Sequence, residues 1–87
     1  MNPTTLEIYS IKDDLLGFSQ PFLSNSEAVA LRSFIASVRA SEPNAANTFP
    51  ENKSLYRLGT INIESGSIVS DVVFIARAIT YLETSKE

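Results

Sequence analysis

Two groups of polar side chains in this sequence have types and spacings that could support chemistry. Asp13 and Asp14 are adjacent carboxylates, which could form half of a metal site or accept hydrogen bonds in a turn that ends a strand. Glu64 lies beside the hydroxyls of Ser65 and Ser67, a composition typical of hairpin turns. Because no second acidic cluster has the spacing of metal ligands, we predict turns at both places, with no metal site and no cofactor.

Aromatic and basic residues form a third group, made of Tyr9, Phe22 and Tyr56 with the cations Lys53 and Arg57. Aromatic rings on an exposed sheet face can stack the bases of single-stranded nucleic acid when cations lie nearby. The alternative is that the two tyrosines are half-buried strand residues. The candidate contacts for a nucleic acid or a protein partner are therefore Tyr9, Lys53, Tyr56 and Arg57.

The charge balance of the 87-residue chain opposes the nucleic-acid interpretation. Seven basic and ten acidic residues give a formal net charge of −3, whereas a nucleic-acid binder needs cations to displace phosphate counterions. Arg32, Arg39 and Arg77 are expected on solvated helix faces, with a shared contact to an anionic surface as the alternative. DNA contact is therefore disfavoured but stays open.

The sequence contains no cysteine and no histidine. This removes thiol nucleophiles, thiolate or imidazole metal sites and the commonest general base near neutral pH. No pair of carboxylates and no Ser–Lys pair has catalytic spacing either, so we expect a protein that is not an enzyme. No apolar run is long enough to span a bilayer and no signal peptide is recognisable, so we expect a soluble intracellular protein.

Hydrophobic periodicity predicts the elements that position these groups. Alternation predicts strands, and apolar residues at three- and four-residue steps predict helices, the first of them opened by a capping box from Ser24 to Glu27. The order is β-α-β-β-α, with strands at 6–12, 53–63 and 68–70 and helices at Asn25–Ala40 and Val72–Glu83. Gly59 in mid-strand predicts a bulge or a close backbone approach, and Gly66 a hairpin turn.

These elements predict a single α+β domain over residues 1–87, with 1–5 and 84–87 frayed. Its sheet would be three-stranded and mainly antiparallel, with both helices packed largely on one face. The polar stretch 41–48 is expected to be a loop, pinned at its end by Phe49 and Pro50. The predicted core consists of Leu6, Ile8, Leu31, Phe34, Ile35, Leu55, Leu58, Ile61, Ile75, Ile79 and Leu82.

Several short segments in a fixed order carry a family resemblance over most of the chain. The sequence resembles the small non-structural proteins of gokushovirus-type phages in the Microviridae, which have single-stranded DNA genomes. The resembling segments are IYSIKD at 8–13, QPF at 20–22, ALRSF at 30–34, FPENKSLYRLG at 49–59, SGSI at 65–68 and FIARA at 74–78. One departure is Asn62-Ile63, where members of the family often carry an acidic pair.

The resemblance implies a protein that acts during infection, in the host cytoplasm, and is absent from the virion shell. Members of the family are commonly labelled DNA-binding, or are likened to the small microvirus protein that switches replication to single-stranded synthesis for packaging. The partners implied are phage or host replication and packaging proteins, and single-stranded DNA is the alternative. The small size of the chain also makes a homodimer plausible. The resemblance supplies no catalytic residues.

Overall fold

The computed structural model describes residues 4–39 and 52–80, which form an α+β fold. Within them, five strands pair in one antiparallel sheet and the helix α1 packs against it. The elements in chain order are β1 Thr5–Asp13, β2 Gly17–Phe18, β3 Phe22–Ser24, α1 Glu27–Arg39, β4 Lys53–Asn62 and β5 Ile68–Arg77. Residues 78–80 are also helical.

The sheet order is β2-β1-β4-β5, and β3 also pairs with β1. The two short strands share one edge of β1, where β2 pairs at Lys12 and Asp13 and β3 pairs at residues 7–9. The predicted α+β class is confirmed, but the predicted three-stranded sheet is wrong. The segment that follows β1 forms two short strands, and both pair with β1. Strands of two and three residues are too short to show a hydrophobic period in the sequence.

The predicted order β-α-β-β-α lacks the two short strands, and its second helix, predicted as Val72–Glu83, begins later, since only residues 78–80 of its described part are helical. Residues 68–77 continue as one strand, and Val72–Arg77, predicted as the start of the helix Val72–Glu83, pair with β4. This stretch is rich in β-branched residues, which lose side-chain freedom in a helix and pack well on a sheet. Pairing with the long strand β4 therefore stabilises the strand more than the three- and four-residue spacing of apolar residues stabilises a helix. Residues 81–83 of that prediction lie outside the described residues.

The helix α1 is confirmed over most of its predicted length, but its cap differs. The backbone N–H of Val29 donates to the Oγ of Ser26 at 3.1 Å, and the N–H of Ala30 donates to the Ser26 carbonyl at 3.2 Å. Ser26 is therefore the N-cap. Ser24, predicted to be the N-cap, lies two residues before it, and its hydroxyl donates a hydrogen bond to the Ser26 carbonyl at 2.8 Å. Ala40, the loop at 41–48, Phe49 and Pro50 lie outside the described residues.

The buried core lies between α1 and one end of the sheet, and it comprises Tyr9, Ala30, Phe34, Val38, Leu55 and Ala78. Of the predicted core, Phe34 and Leu55 are confirmed as fully buried. A half-buried margin contains Leu6, Ile8, Leu31, Ile35, Leu58, Ile61 and Ile75. The prediction that Ile79 belongs to the core is wrong, since 38% of its surface is exposed. Leu82 lies outside the described residues. Among the described residues, the hairpin end of the sheet keeps exposed apolar side chains such as Ile63, Ile68 and Val69.

The β4–β5 hairpin turns where the sequence predicted, with Gly66 at φ +79°. The side-chain oxygen of Asn62 accepts hydrogen bonds from the N–H groups of Glu64 at 2.9 Å and Ser65 at 3.1 Å. Ser65 Oγ accepts from the N–H of Ser67 at 3.2 Å, so this serine has the predicted role in the turn. Asn62 thus organises the turn through the oxygen of its side-chain amide.

Candidate nucleic-acid interface

The sheet separates the four predicted contact residues onto opposite faces. Along β1 the side chains alternate, so that Tyr9 and Asp13 point to one face and Lys12 to the other. The register places Arg57 opposite Tyr9 and Lys53 opposite Asp13. We call the side on which α1 packs the covered face, and the side that carries Lys12 and Tyr56 the open face. Tyr9, Lys53 and Arg57 thus share the covered face, and Tyr56 lies on the open one.

Tyr9 is a core residue. Its ring is fully buried and stacks against Phe22, with centroids 6.0 Å apart and planes at 25°. Its hydroxyl donates a hydrogen bond to Glu7 Oε1. Burial raises the pKa of Tyr9 well above its ordinary value, and the bond to Glu7 raises it further, so the hydroxyl remains protonated. Tyr9 is therefore buried more fully than the half-buried alternative predicted, and no surface of this ring can stack a base.

Lys53 lies in a turn-stabilising cluster around Asp13. The Asp13 carboxylate accepts hydrogen bonds from the N–H groups of Leu15 at 2.8 Å and Leu16 at 3.1 Å, and Lys53 Nζ lies 3.4 Å from its Oδ2. The two backbone bonds, more than the ammonium, lower the pKa of Asp13. The turn interpretation of Asp13 is thereby confirmed. In the described part of the chain, no group of three or more His, Cys, Asp or Glu residues could hold a metal ion.

Arg57 lies at the margin of the covered face. Its guanidinium is 3.9 Å from the Asp71 carboxylate, and only 26% of its side chain is exposed. The structure therefore does not unite the four predicted residues on one surface. Tyr56 alone keeps the surroundings that base stacking requires.

The open face carries three rings in a line across the sheet, which we call the aromatic row: Phe18 of β2, Tyr56 of β4 and Phe74 of β5. The ring centroids of Phe18 and Tyr56 are 5.4 Å apart with planes at 82°, and those of Tyr56 and Phe74 are 5.7 Å apart with planes at 77°. Both contacts are edge-to-face, an arrangement that aromatic pairs prefer. Phe18 is 47% exposed and Phe74 50%, so the two outer rings keep surface available to a ligand.

Lys12 of β1 lies between the first two rings of the aromatic row, Phe18 and Tyr56. Lys12 Nζ lies 5.8 Å from the ring centroid of Phe18 and 5.7 Å from that of Tyr56, within the range of a cation–π contact. Arg77 follows on β5 beyond Phe74, and its guanidinium lies 3.5 Å from the Asp14 carboxylate. The row is thus accompanied by cations that could meet a phosphate.

Sequence reasoning missed three members of this surface, namely Phe18, Lys12 and Phe74. Phe18 lay in a segment predicted to connect elements, and Phe74 in a segment predicted to be helical. Lys12 ended a predicted strand but was not grouped with any ring. The signal that could have found the row is the high content of β-branched residues along 68–77, which is typical of a strand and would have indicated that Phe74 lies on one.

The fold and the open face define a small α+β protein with an aromatic surface left uncovered by α1. A family model described as Phage ORF5 protein matches residues 6–81, so the chain belongs to this family of phage proteins. The predicted resemblance is confirmed at the level of a phage protein family. Searches of curated proteins and of solved structures found no match. Across residues 4–39 and 52–80, no helix has the length and apolar character needed to cross a membrane.

Proposed function

We propose that this phage protein is a non-catalytic accessory factor in the replication or packaging stage of a single-stranded DNA phage, acting in the host cytoplasm. We further propose that it binds single-stranded DNA on its open face. The observation that carries the proposal is the aromatic row with Lys12 between its first two rings. Membership of a phage protein family and the gokushovirus-like sequence pattern supply the biological setting.

The chemistry of the row favours single strands over duplex. Bases in a duplex are stacked on each other, whereas a single strand can splay its bases onto aromatic side chains. Phe18 and Phe74 offer exposed rings on either side of Tyr56, and Lys12 and Arg77 lie near enough to meet phosphates. Because every base has a π-face, such a surface would bind with little sequence preference.

The net charge of −3 limits how strong and how salt-dependent this binding can be. Each phosphate neutralised on a single strand contributes about 0.7 to the slope of log affinity against log salt. With Lys12 and Arg77 as the cations of the open face, we expect a slope between about −1 and −1.5. Stacking, which salt screens little, would supply most of the affinity.

Replacing one ring of the aromatic row by leucine is expected to weaken binding of a labelled oligothymidylate by ~1–3 kcal/mol, or about 5- to 150-fold. Fluorescence anisotropy across a salt series would measure this loss for Phe18→Leu, Tyr56→Leu and Phe74→Leu. The matched control is Phe22→Leu, the same change on the covered face, which should leave the affinity unchanged while the melting temperature verifies folding. Equal losses in the control and the row variants, or equal affinity for duplex DNA, would contradict the proposal.

A second candidate is a protein that binds phage or host replication and packaging proteins without touching DNA. The observations that favour it are the negative net charge and the exposed apolar residues of β5, among them Ile68, Val69 and Val72. Absent or salt-insensitive binding of single-stranded DNA at micromolar protein would favour this candidate. Tagged protein recovered from infected cells would then identify the partner.

A further inference from the structure

Asp14 belongs to the adjacent carboxylate pair of the sequence, but its side chain has no part in the turn that follows β1. Asp13 accepts two backbone hydrogen bonds within that turn and pairs with Lys53. The carboxylate of Asp14 instead points across the sheet, where its Oδ2 lies 3.5 Å from Nη2 of Arg77 on β5. Asp14 therefore contacts one of the two cations that accompany the aromatic row.

The backbone holds Asp14 in this position from two sides. Its N–H donates a hydrogen bond to the carbonyl of Asn52, just before β4, at 3.0 Å. The turn that follows it is fixed by the bonds from the N–H groups of Leu15 and Leu16 to the carboxylate of Asp13. Because the main chain is bonded before and after Asp14, its carboxylate has a defined place at the end of β1.

The strand register places this ion pair on the open face. Arg77 pairs with Ser54 of β4, and Ser54 pairs with Lys12 of β1. Residues directly opposite each other on neighbouring strands carry their side chains on the same face, so Arg77 lies on the face of Lys12 and of the aromatic row. Within residues 4–39 and 52–80, Arg77–Asp14 is the ion pair of this face.

The contact is exposed and can be displaced by another anion. The side chains of Arg77 and Asp14 are 46% and 45% exposed, and water and salt screen such a pair, so that it stabilises the protein little. A guanidinium binds a phosphate through charge-assisted, often paired, hydrogen bonds. A phosphate that approaches Arg77 therefore meets a cation that a carboxylate already holds.

We propose that Asp14 competes with the phosphates of single-stranded DNA for Arg77 and so restrains binding on the open face. This role of Asp14 rests on the proposed function, since it assigns a control to the same surface. Displacing the carboxylate lowers the affinity for the strand. It also reduces the net release of counterions, because the carboxylate freed from Arg77 attracts a cation from solution.

The experiment measures the affinity of the full chain for a labelled oligothymidylate by fluorescence anisotropy across a salt series. We expect Asp14→Asn to bind about two- to fivefold more tightly at low salt and to raise the magnitude of the salt slope by roughly 0.5. The matched control is Asp71→Asn, because Asp71 also pairs with an arginine, Arg57 at 3.9 Å, but on the covered face. Both substitutions remove one negative charge, so the control measures the general effect of net charge.

A double variant tests whether the gain depends on Arg77. In Arg77→Gln the contested cation is absent, so adding Asp14→Asn to it should increase the affinity no more than Asp71→Asn does. Thermal melting verifies that each variant is folded.

Three results would overturn the competition while leaving the proposed function intact: equal gains for Asp14→Asn and Asp71→Asn, a full gain that persists in Arg77→Gln, or weaker binding by Asp14→Asn. Absence of oligothymidylate binding in the wild type and in every variant would instead overturn the proposed function, and the role of Asp14 with it.

Discussion

Phe34→Ala is expected to lower the free energy of unfolding by ~3–5 kcal/mol, the usual cost of truncating a buried phenylalanine. Phe34 is fully buried and belongs to the cluster that joins α1 to Tyr9 and Leu55. Its removal leaves a cavity at the main contact between helix and sheet. For a domain of this size, whose total stability lies toward the low end of about 5–15 kcal/mol, the loss removes a large part of the free energy of unfolding.

Urea denaturation followed by circular dichroism would measure this loss as a lower midpoint at an unchanged slope. The control is Val29→Ala on the same helix, because Val29 is 48% exposed and its truncation leaves no cavity. We expect the control to unfold within about 0.5 kcal/mol of the wild type, as surface substitutions usually do. Similar losses for the two variants would mean that α1 does not pack on the sheet through Phe34.

Gly59→Ala is expected to be comparably damaging, for a backbone reason. Gly59 lies in β4 at φ +156°, and a Cβ added there would lie 2.0 Å from the carbonyl oxygen of Val69 on β5. Strained backbone alone costs about 1–3 kcal/mol, and the overlap with a neighbouring main chain adds to it. We therefore expect a loss of ~3 kcal/mol or more.

Gly66→Ala separates the two contributions. Gly66 also has positive φ, at +79°, but nothing lies within 4 Å of a Cβ built there. This variant should lose only the ~1–2 kcal/mol that the left-handed conformation costs an alanine. The same denaturation assay measures both variants, and equal losses would show that the close approach of β4 and β5 at Gly59 is unimportant.

Local signals predicted much of the fold because they act within one element. Alternation located β1 and β4, and the apolar stripe located α1. Gly59 correctly indicated a close backbone approach, since a methyl group there would collide with Val69. Gly66 correctly indicated the hairpin turn.

The failures arose where tertiary pairing decides between two local possibilities. In residues 72–77 the apolar spacing fits a helix, and only the presence of a long partner, β4, makes the strand more favourable. The short strands β2 and β3 have too few residues to show a hydrophobic period, so only their pairing with β1 identifies them as strands.

The location of the candidate site also depended on strand pairing, which the sequence does not reveal. Tyr9 and Tyr56 both lie on strands, but their faces follow from the register between β1 and β4, which shifts at a bulge beside Tyr9. Once that register is known, Tyr9 belongs to the core and Tyr56 to the aromatic row. Phe18 and Phe74 join Tyr56 only across strand pairs that no single segment encodes.

The measurement that tests the proposed function most directly compares two lysines on opposite faces of the sheet. Lys12 lies over the aromatic row, whereas Lys53 pairs with Asp13 on the covered face. Lys12→Gln and Lys53→Gln remove the same charge, so their effects on the net charge of the protein are identical. The readout is the salt dependence of oligothymidylate affinity for each variant. If the open face binds single-stranded DNA, Lys12→Gln should reduce the magnitude of the salt slope by about 0.7, while Lys53→Gln should leave it unchanged. An unchanged slope in Lys12→Gln, or the same reduction in both variants, would contradict binding on the open face.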